Sequence, residues 1–199
     1  MDYIIFVIPI VLLVIYFGDF LHKYHNYFYL SAIIIVASSV VFMDVALFQT
    51  LTSPGLGISL LIVVMFTGAF KKKSKQRITL TKVRKELAIL GYIVLIPHVV
   101  SNFSFEFHVA RIFGSLAMLI MLPLFISSFP YIKKKIGRER WKKLHKLSYF
   151  AYTLMFIHAT LIAIIVTKAY VIAIIYIFVF LYSFFIDDSI YRIRGITFS

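Results

Sequence analysis

The stretch Ile136–Ala163 reads IGRERWKKLHKLSYFAYTLMFIHATLIA and passes from strongly basic to strongly apolar near its middle. The apolar run Leu144–Val166 approaches the roughly 20 residues that a helix needs to cross the hydrocarbon core of a bilayer. His158 lies deep in this run, where an ionisable side chain is costly and indicates function. The stretch therefore predicts a membrane-spanning helix that carries a functional histidine.

The rest of the chain repeats this pattern. Apolar residues make up 62% of the 199 residues, whereas a soluble domain averages roughly 45–50%. The pattern predicts an all-α, polytopic membrane helical bundle with no room for a separate soluble nucleotide-binding unit. The other six apolar runs are Tyr3–Gly18, Tyr27–Phe48, Pro54–Phe70, Lys85–Phe103, Val109–Pro130 and Ala169–Ile186.

The charges indicate orientation rather than nucleic-acid binding, although the net charge is +13. With seven spans, one side of the membrane holds segments 19–26, 71–85, 131–146 and 187–199, which carry 19 of the 21 basic residues. Basic loops stay in the cytoplasm. We therefore expect a multi-pass plasma-membrane protein with the C-terminus inside. The N-terminus is outside if the first run spans the membrane and inside if it does not. The chain has no cysteine, which excludes disulfides, thiolate metal sites and iron–sulfur clusters.

Two histidines are predicted at one depth in the membrane. His98 lies 13 residues beyond Lys85, and His158 lies 12 beyond Lys146. Both predicted helices run outward, so both rings lie roughly 18–20 Å from the inner basic border. Neutral imidazole is a common axial ligand of haem iron. The matched depth predicts one bis-histidine haem, and the alternative is that each histidine only hydrogen-bonds a neighbouring helix.

A second, inner haem depends on His145 at the cytoplasmic mouth of its run. His145 lies 13 residues before His158, which is roughly 20 Å along a helix and about 140° around it if the helix is straight. A bend is needed to aim both rings at one partner. On the other helix, Arg84 projects on nearly the same face as His98. Arg84 is a candidate partner of a haem propionate or a flavin phosphate, or only a positive-inside anchor.

These residues also carry a family resemblance. Gly137, Trp141, Leu144, His145, Tyr149 and His158 are similar to the G-x-x-W-x-x-L-H…Y…H segment of the ferric-reductase-like transmembrane superfamily. The segment RKELAILGYIVLIPH, which ends at His98, resembles that family's helix with a basic pair and one ligand histidine. A weaker match is Arg111, Gly114 and Ser127–Ser128. The chain most resembles the MsrQ (YedZ) type, the haem-binding subunit of a periplasmic methionine sulfoxide reductase system.

The resemblance implies a six-helix core that holds haem b, once or twice, with His98 and His158 as outer axial ligands and His145 as an inner one. Many family members have two histidines on each of two helices, and here the fourth position falls at Arg84 or Lys85. Electrons would come from a cytoplasmic flavin reductase, with FMN or another flavin, or from quinol. They would pass to an extracytoplasmic partner such as a methionine sulfoxide reductase, or to ferric iron.

The predicted organisation is an extra N-terminal helix with its loop over 1–26, the transmembrane haem domain over 27–190, and a cytoplasmic tail over 191–199. The alternative function is a small transporter or channel in which the histidines relay protons. His22 and His25 have a spacing that suits a metal on a helix. Because no third ligand is close in sequence, a solvated interfacial loop is the favoured interpretation of this pair.

Overall fold

A computed structural model describes residues 6–39, 41–42, 46–67, 70, 73–101, 109–166, 174, 177–178 and 181. The described residues fall within two compact units, unit 1 inside Met1–Phe103 and unit 2 inside Ser104–Phe185. Regular structure in these ranges is entirely helical, so the all-α prediction is confirmed for them. The boundary between the units falls inside the predicted domain 27–190, and the predicted three-part division stays a prediction.

Unit 1 is built around its longest helix, which packs against three others. Its buried core is aliphatic and includes Val14, Leu61, Leu80 and Leu87, none of which is more than 4% exposed. The helices of unit 1 are α1 (Val7–Lys23), α2 (His25–Ser39), α3 (Ala46–Leu51), α4 (Pro54–Phe66) and the central α5 (Lys75–Ser101).

Helices α1 and α2 are separated by Tyr24 alone and bend by 99° relative to each other. The predicted loop 19–26 is therefore wrong, because helix α1 continues to Lys23 and α2 begins at His25. The prediction ended each apolar run at its first polar residues. A polar residue at a membrane border, however, does not end a helix.

Helices α4 and α5 approach each other through two glycines. A Cβ added at Gly57 would lie 2.7 Å from Leu95 Cγ and 3.2 Å from the Gly91 carbonyl oxygen. A Cβ added at Gly91 would lie 3.0 Å from Leu61 and 3.2 Å from the Gly57 carbonyl oxygen. Small residues allow such close packing of helix backbones in membranes. Helix α4 begins at Pro54 because Ser53 caps it, accepting a hydrogen bond from the Leu56 amide at 3.3 Å.

We expect Gly57→Val to lower the free energy of unfolding by about 1–3 kcal/mol, because the added atoms overpack a backbone contact that has no room to yield. Thermal unfolding of the detergent-solubilised protein measures this loss. Ile78→Ala is the control, since Ile78 on α5 is 60% exposed and its truncation should leave the melting temperature nearly unchanged. Equal melting temperatures for Gly57→Val and the unmodified protein would contradict the close α4–α5 packing.

Unit 2 consists of two long helices that are joined by a basic segment. Helix α6 packs along α9, and two short basic helices connect them. Its elements are α6 (Val109–Ser127), α7 (Pro130–Ile136), α8 (Arg138–His145), α9 (Leu147–Leu161) and a π-helical segment over Ile162–Val166. Gly137 separates α7 from α8 with φ +86°, a left-handed backbone conformation that glycine adopts without a steric penalty.

The described residues include three helical stretches that are long and apolar enough to cross a membrane: Gln49–Phe66, Val109–Ser127 and Arg138–Ile164. The bent pair α1 and α2 makes a fourth if it counts as one span. Helix α5 carries charged residues up to Glu86 and is apolar only beyond it. The seventh predicted run, 169–186, lies almost wholly outside the described residues. The predicted six-helix core with an extra N-terminal helix therefore stays a prediction.

Candidate functional site

His158 is fixed in unit 2 by a hydrogen bond to the neighbouring helix. It lies in the last turn of α9, and its Nδ1 atom is 2.6 Å from the carbonyl oxygen of Ala110 at the start of α6. A carbonyl oxygen only accepts, so Nδ1 carries the proton and donates. The neutral ring then has its lone pair on Nε2. This protonation pattern is the one that a histidine needs in order to bind a metal ion through Nε2.

The ring of His158 lies directly against the backbone of Gly114. A Cβ built at Gly114 would be 2.9 Å from Nδ1, 3.0 Å from Cε1 and 3.1 Å from Cγ of His158. Any side chain at this position would push the imidazole away from α6. Gly114 therefore provides the space that allows the bond between His158 and Ala110 to form.

In His145, at the other end of unit 2, the other ring nitrogen makes the hydrogen bond. Its Nε2 atom is 3.1 Å from the Ser127 hydroxyl oxygen. The single hydroxyl hydrogen of Ser127 is donated to the Leu124 carbonyl oxygen at 3.1 Å. The hydroxyl oxygen therefore accepts from Nε2, and the lone pair of the neutral His145 ring lies on Nδ1. His145 and His158 thus present different ring nitrogens.

Trp141 completes the corner around His145. Its indole nitrogen donates to the Ser127 carbonyl oxygen at 3.0 Å, and its ring centroid is 4.1 Å from that of His145. The Lys133 ammonium lies 4.2 Å from the Trp141 ring centroid, within the range of a cation–π contact. The W-x-x-L-H spacing thus places Trp141 and His145 on one face of α8, where both reach the end of α6.

The two histidines of unit 2 lie at opposite ends of α6. Their partners, Ala110 and Ser127, are separated by almost the whole helix, roughly 25 Å at 1.5 Å per residue. The helix that carries both is interrupted at Lys146, where the Lys146 amide bonds the Lys143 carbonyl oxygen at 3.3 Å. Lys146 keeps helical backbone angles, so the offset of about 140° between His145 and His158 on a straight helix stays a prediction.

His98 and Arg84 both lie on α5 in unit 1. His98 is half-buried near the end of that helix and directly follows Pro97, which has no amide hydrogen to donate to the preceding turn. Arg84 is half-buried near the charged start of the same helix. Fourteen residues separate them, which places them within about 40° of each other around a regular helix. The shared face that the sequence predicted follows from the unbroken helical assignment of α5.

Sequence reasoning missed Glu86, which is 1% exposed in the core of unit 1. Its Oε1 atom is 3.1 Å from Nδ1 of His22 and 3.4 Å from the Lys85 ammonium. The His22–His25 pair therefore belongs to the corner between two helices and not to a loop, and the His22 side chain is 44% exposed. The signal in the sequence was an acidic residue placed one position inside the apolar run Lys85–Phe103.

No group of three or more histidine, cysteine, aspartate or glutamate side chains that could hold a metal ion occurs among the described residues. The spacing of His22 and His25 therefore does not form a side-chain metal site within this part of the chain. Haem differs from such a site because its porphyrin supplies most of the iron ligands, and one or two histidines complete the coordination.

The apolar spans define a multi-pass membrane protein, and comparison with known proteins gives its family. Residues 54–156, just over half of the chain, match the family described as "Ferric reductase like transmembrane component". The chain belongs to this ferric-reductase-like transmembrane family. Family membership indicates a membrane electron-transfer component. The matched range includes Arg84, His98 and His145 and ends two residues before His158.

One curated relative is a protein from Treponema pallidum (strain Nichols) that is described only as an uncharacterized protein. It is 27% identical over a 131-residue alignment, which covers 58% of this chain and 36% of the relative. This chain therefore spans little more than a third of that relative's length. No solved structure matches the chain.

The residues of unit 2 fit the haem group that this family commonly binds. His158 has the tautomer that places the lone pair on Nε2. Because Gly114 has no side chain, the imidazole ring lies directly against the backbone of α6. His145 fits less directly, because its Nε2 atom already contacts Ser127.

Proposed function

We propose that this protein is a haem b electron carrier of a membrane oxidoreductase system, in which His98 and His158 would hold one haem. The observation that carries the proposal is the Nδ1 bond from His158 to the Ala110 carbonyl oxygen at 2.6 Å. The pairing with His98 on α5 is supported by the matched depth of the two histidines in the sequence and by family membership.

The chain's own residues prepare His158 for this role. When bound, haem b supplies a one-electron couple between ferric and ferrous iron. The Ala110 carbonyl fixes the tautomer and the ring orientation of His158, and a hydrogen bond of this kind also makes the ligating nitrogen more basic. Gly114 lets the ring lie close against the backbone of α6.

His145 and Arg84 are proposed for the basic side of the membrane. His145 would ligate an inner haem only after its ring exchanges the Ser127 contact for the iron, or it would bind through Nδ1. Arg84 would pair with a haem propionate or with the phosphate of FMN or another flavin, because a guanidinium binds such anions through two parallel hydrogen bonds.

The proposed direction of electron flow follows from charge. The basic segments favour a cytoplasmic position for α7 and α8, so electrons would enter there from a flavin reductase or from quinol. They would leave on the other side to a redox partner such as a methionine sulfoxide reductase, or to ferric iron. The kinship to the MsrQ type remains part of this proposal, as does the orientation of the termini.

An absorbance spectrum of the purified, haem-supplemented protein tests the function. We expect a Soret band that shifts on reduction with dithionite, together with the sharp visible bands of a six-coordinate, low-spin haem b. Absence of a Soret band after haem supply during expression and again in the purified protein would contradict the proposal. The alternative of a proton-relaying transporter requires activity in vesicles that contain no haem.

A further inference from the structure

Unit 1 contains a titratable cluster that the proposed haem ligation does not use. Glu86 on α5 is 1% exposed, and Tyr29 on α2 is 9% exposed. The Oε2 atom of Glu86 and the hydroxyl of Tyr29 have no hydrogen-bond partner among the described residues. Buried polar atoms in this state carry a large desolvation cost. Both groups lie on helices that pack together, α2 and α5.

The other oxygen of Glu86 is connected to the surface through a histidine. Glu86 Oε1 accepts from His22 Nδ1 at 3.1 Å, and the His22 side chain is 44% exposed. His22 is itself positioned by its neighbour, since His25 Nδ1 donates to the His22 carbonyl oxygen at 2.7 Å. The His25 ring lies 5.5 Å from that of Tyr29 in an edge-on contact. One imidazole thus bridges the water-accessible surface and a buried carboxyl.

We propose that His22 and Glu86 form a proton-exchange site in unit 1. The His22 ring takes a proton from water at Nε2 and releases the proton on Nδ1 to Glu86 Oε1. The ring returns to a neutral form and the carboxylate becomes a carboxylic acid. A protonated carboxyl needs no compensating charge, so its burial costs less than that of a carboxylate. The ligand of this site is the proton.

A permanent ion pair with Lys85 is the competing role for Glu86. The Lys85 ammonium is 3.4 Å from Oε1, but its side chain is 38% exposed, so water screens part of its charge. A fixed ion pair would also leave the buried Oε2 atom of a carboxylate without any donor. His22 and Lys85 contact Glu86 directly, and the elements packed around this corner carry further titratable side chains, except α4, which has none. The groups at this corner are Asp19, His22, His25, Tyr29, Lys82 and Lys85.

The use of this site in electron transfer rests on the proposed function. An electron that enters an apolar membrane interior adds a negative charge that few solvent dipoles stabilise. Uptake of a proton at Glu86 offsets that charge from the basic side of the membrane. The site itself needs no haem, so its test is independent of the Soret measurement.

Labelling with dicyclohexylcarbodiimide tests the proposal, because this apolar reagent modifies protonated carboxyl groups in apolar surroundings. The full chain is treated over a range of pH and the modified residues are identified by mass spectrometry. We expect the label on Glu86, rising severalfold as the pH falls. The exposed Glu139, 77% accessible, and Asp19, 86% accessible, should stay essentially unlabelled.

Two variants provide matched controls. Glu86→Gln should abolish the label and an infrared band of a protonated carboxyl, whereas Glu139→Gln should change neither. An unlabelled Glu86 throughout the pH range would show a locked ion pair and overturn the proposal. Labelling of Glu86 in a protein that lacks a Soret band would support the proton site and contradict only the haem function.

Discussion

His158→Ala is expected to remove most of the bound haem, about tenfold relative to the unmodified protein, while the protein still inserts into the membrane. The variant loses the imidazole that is proposed to bind the haem iron, and the methyl side chain of alanine cannot replace it. Haem content per protein, measured by the pyridine haemochrome spectrum, gives the result. His98→Ala should have an equally large effect, because both histidines are proposed as ligands of the same iron.

A second substitution at the same position separates ligation from packing. In His158→Asn the side-chain amide sits near the position of Nδ1 and retains a donor for the Ala110 carbonyl oxygen. It lacks an atom at the position of Nε2. We therefore expect the asparagine variant to unfold at nearly the original temperature and still to bind little haem. Full haem content in His158→Asn would exclude His158 as a ligand.

His145→Ala should have a smaller effect than the alanine variants at His98 and His158, and should remove about half of the haem or less. The Nε2 atom of His145 contacts Ser127, so its main contribution within unit 2 is to the corner with Trp141. His145→Gln retains a donor near the position of Nε2 and should restore that contact. Equal and complete loss of haem in the alanine variants at His98, His145 and His158 would contradict the assignment of separate levels.

Much of unit 2 could be predicted because membrane physics constrains the sequence strongly. A basic segment followed by an apolar run determines the end of a span, and a histidine inside that run is rare enough to indicate function. The weaker resemblance at Gly114 and Ser127 marked positions that the structure brings against His158 and His145. Gly114 and His158 lie 44 residues apart in the chain, so the family resemblance rather than local spacing indicated this contact.

The features that escaped prediction depend on contacts between distant segments. The bond from His22 to Glu86 joins residues 64 positions apart, and no periodicity in either helix indicates this contact. The same limit explains the predicted loop 19–26, since only packing against α5 shows that α1 continues through polar residues. The tautomers of His145 and His158 could not be predicted from the sequence either, because each depends on one hydrogen-bond acceptor on α6.

Gly114→Ala is expected to weaken haem binding by about 10- to 100-fold, the usual effect of disturbing a group that orients a metal-ligating histidine. The added methyl carbon would lie 2.9 Å from Nδ1 of His158, closer than van der Waals contact allows. The ring must move away from α6, which lengthens or breaks its bond to the Ala110 carbonyl oxygen. Haem titration followed at the Soret band measures the affinity, and the remaining haem should show an altered low-spin spectrum and a shifted midpoint potential.

Gly91→Ala is the matched control because its added carbon is equally crowded, 3.0 Å from Leu61, but lies in unit 1 against α4. A purely structural effect of crowding would lower the melting temperature in both variants and leave the spectrum per haem unchanged. A change in spectrum and potential that is confined to Gly114→Ala therefore identifies the His158 ring as the affected group. If Gly114→Ala binds haem with unchanged affinity and spectrum, the contact between α6 and the ring does not position a haem ligand.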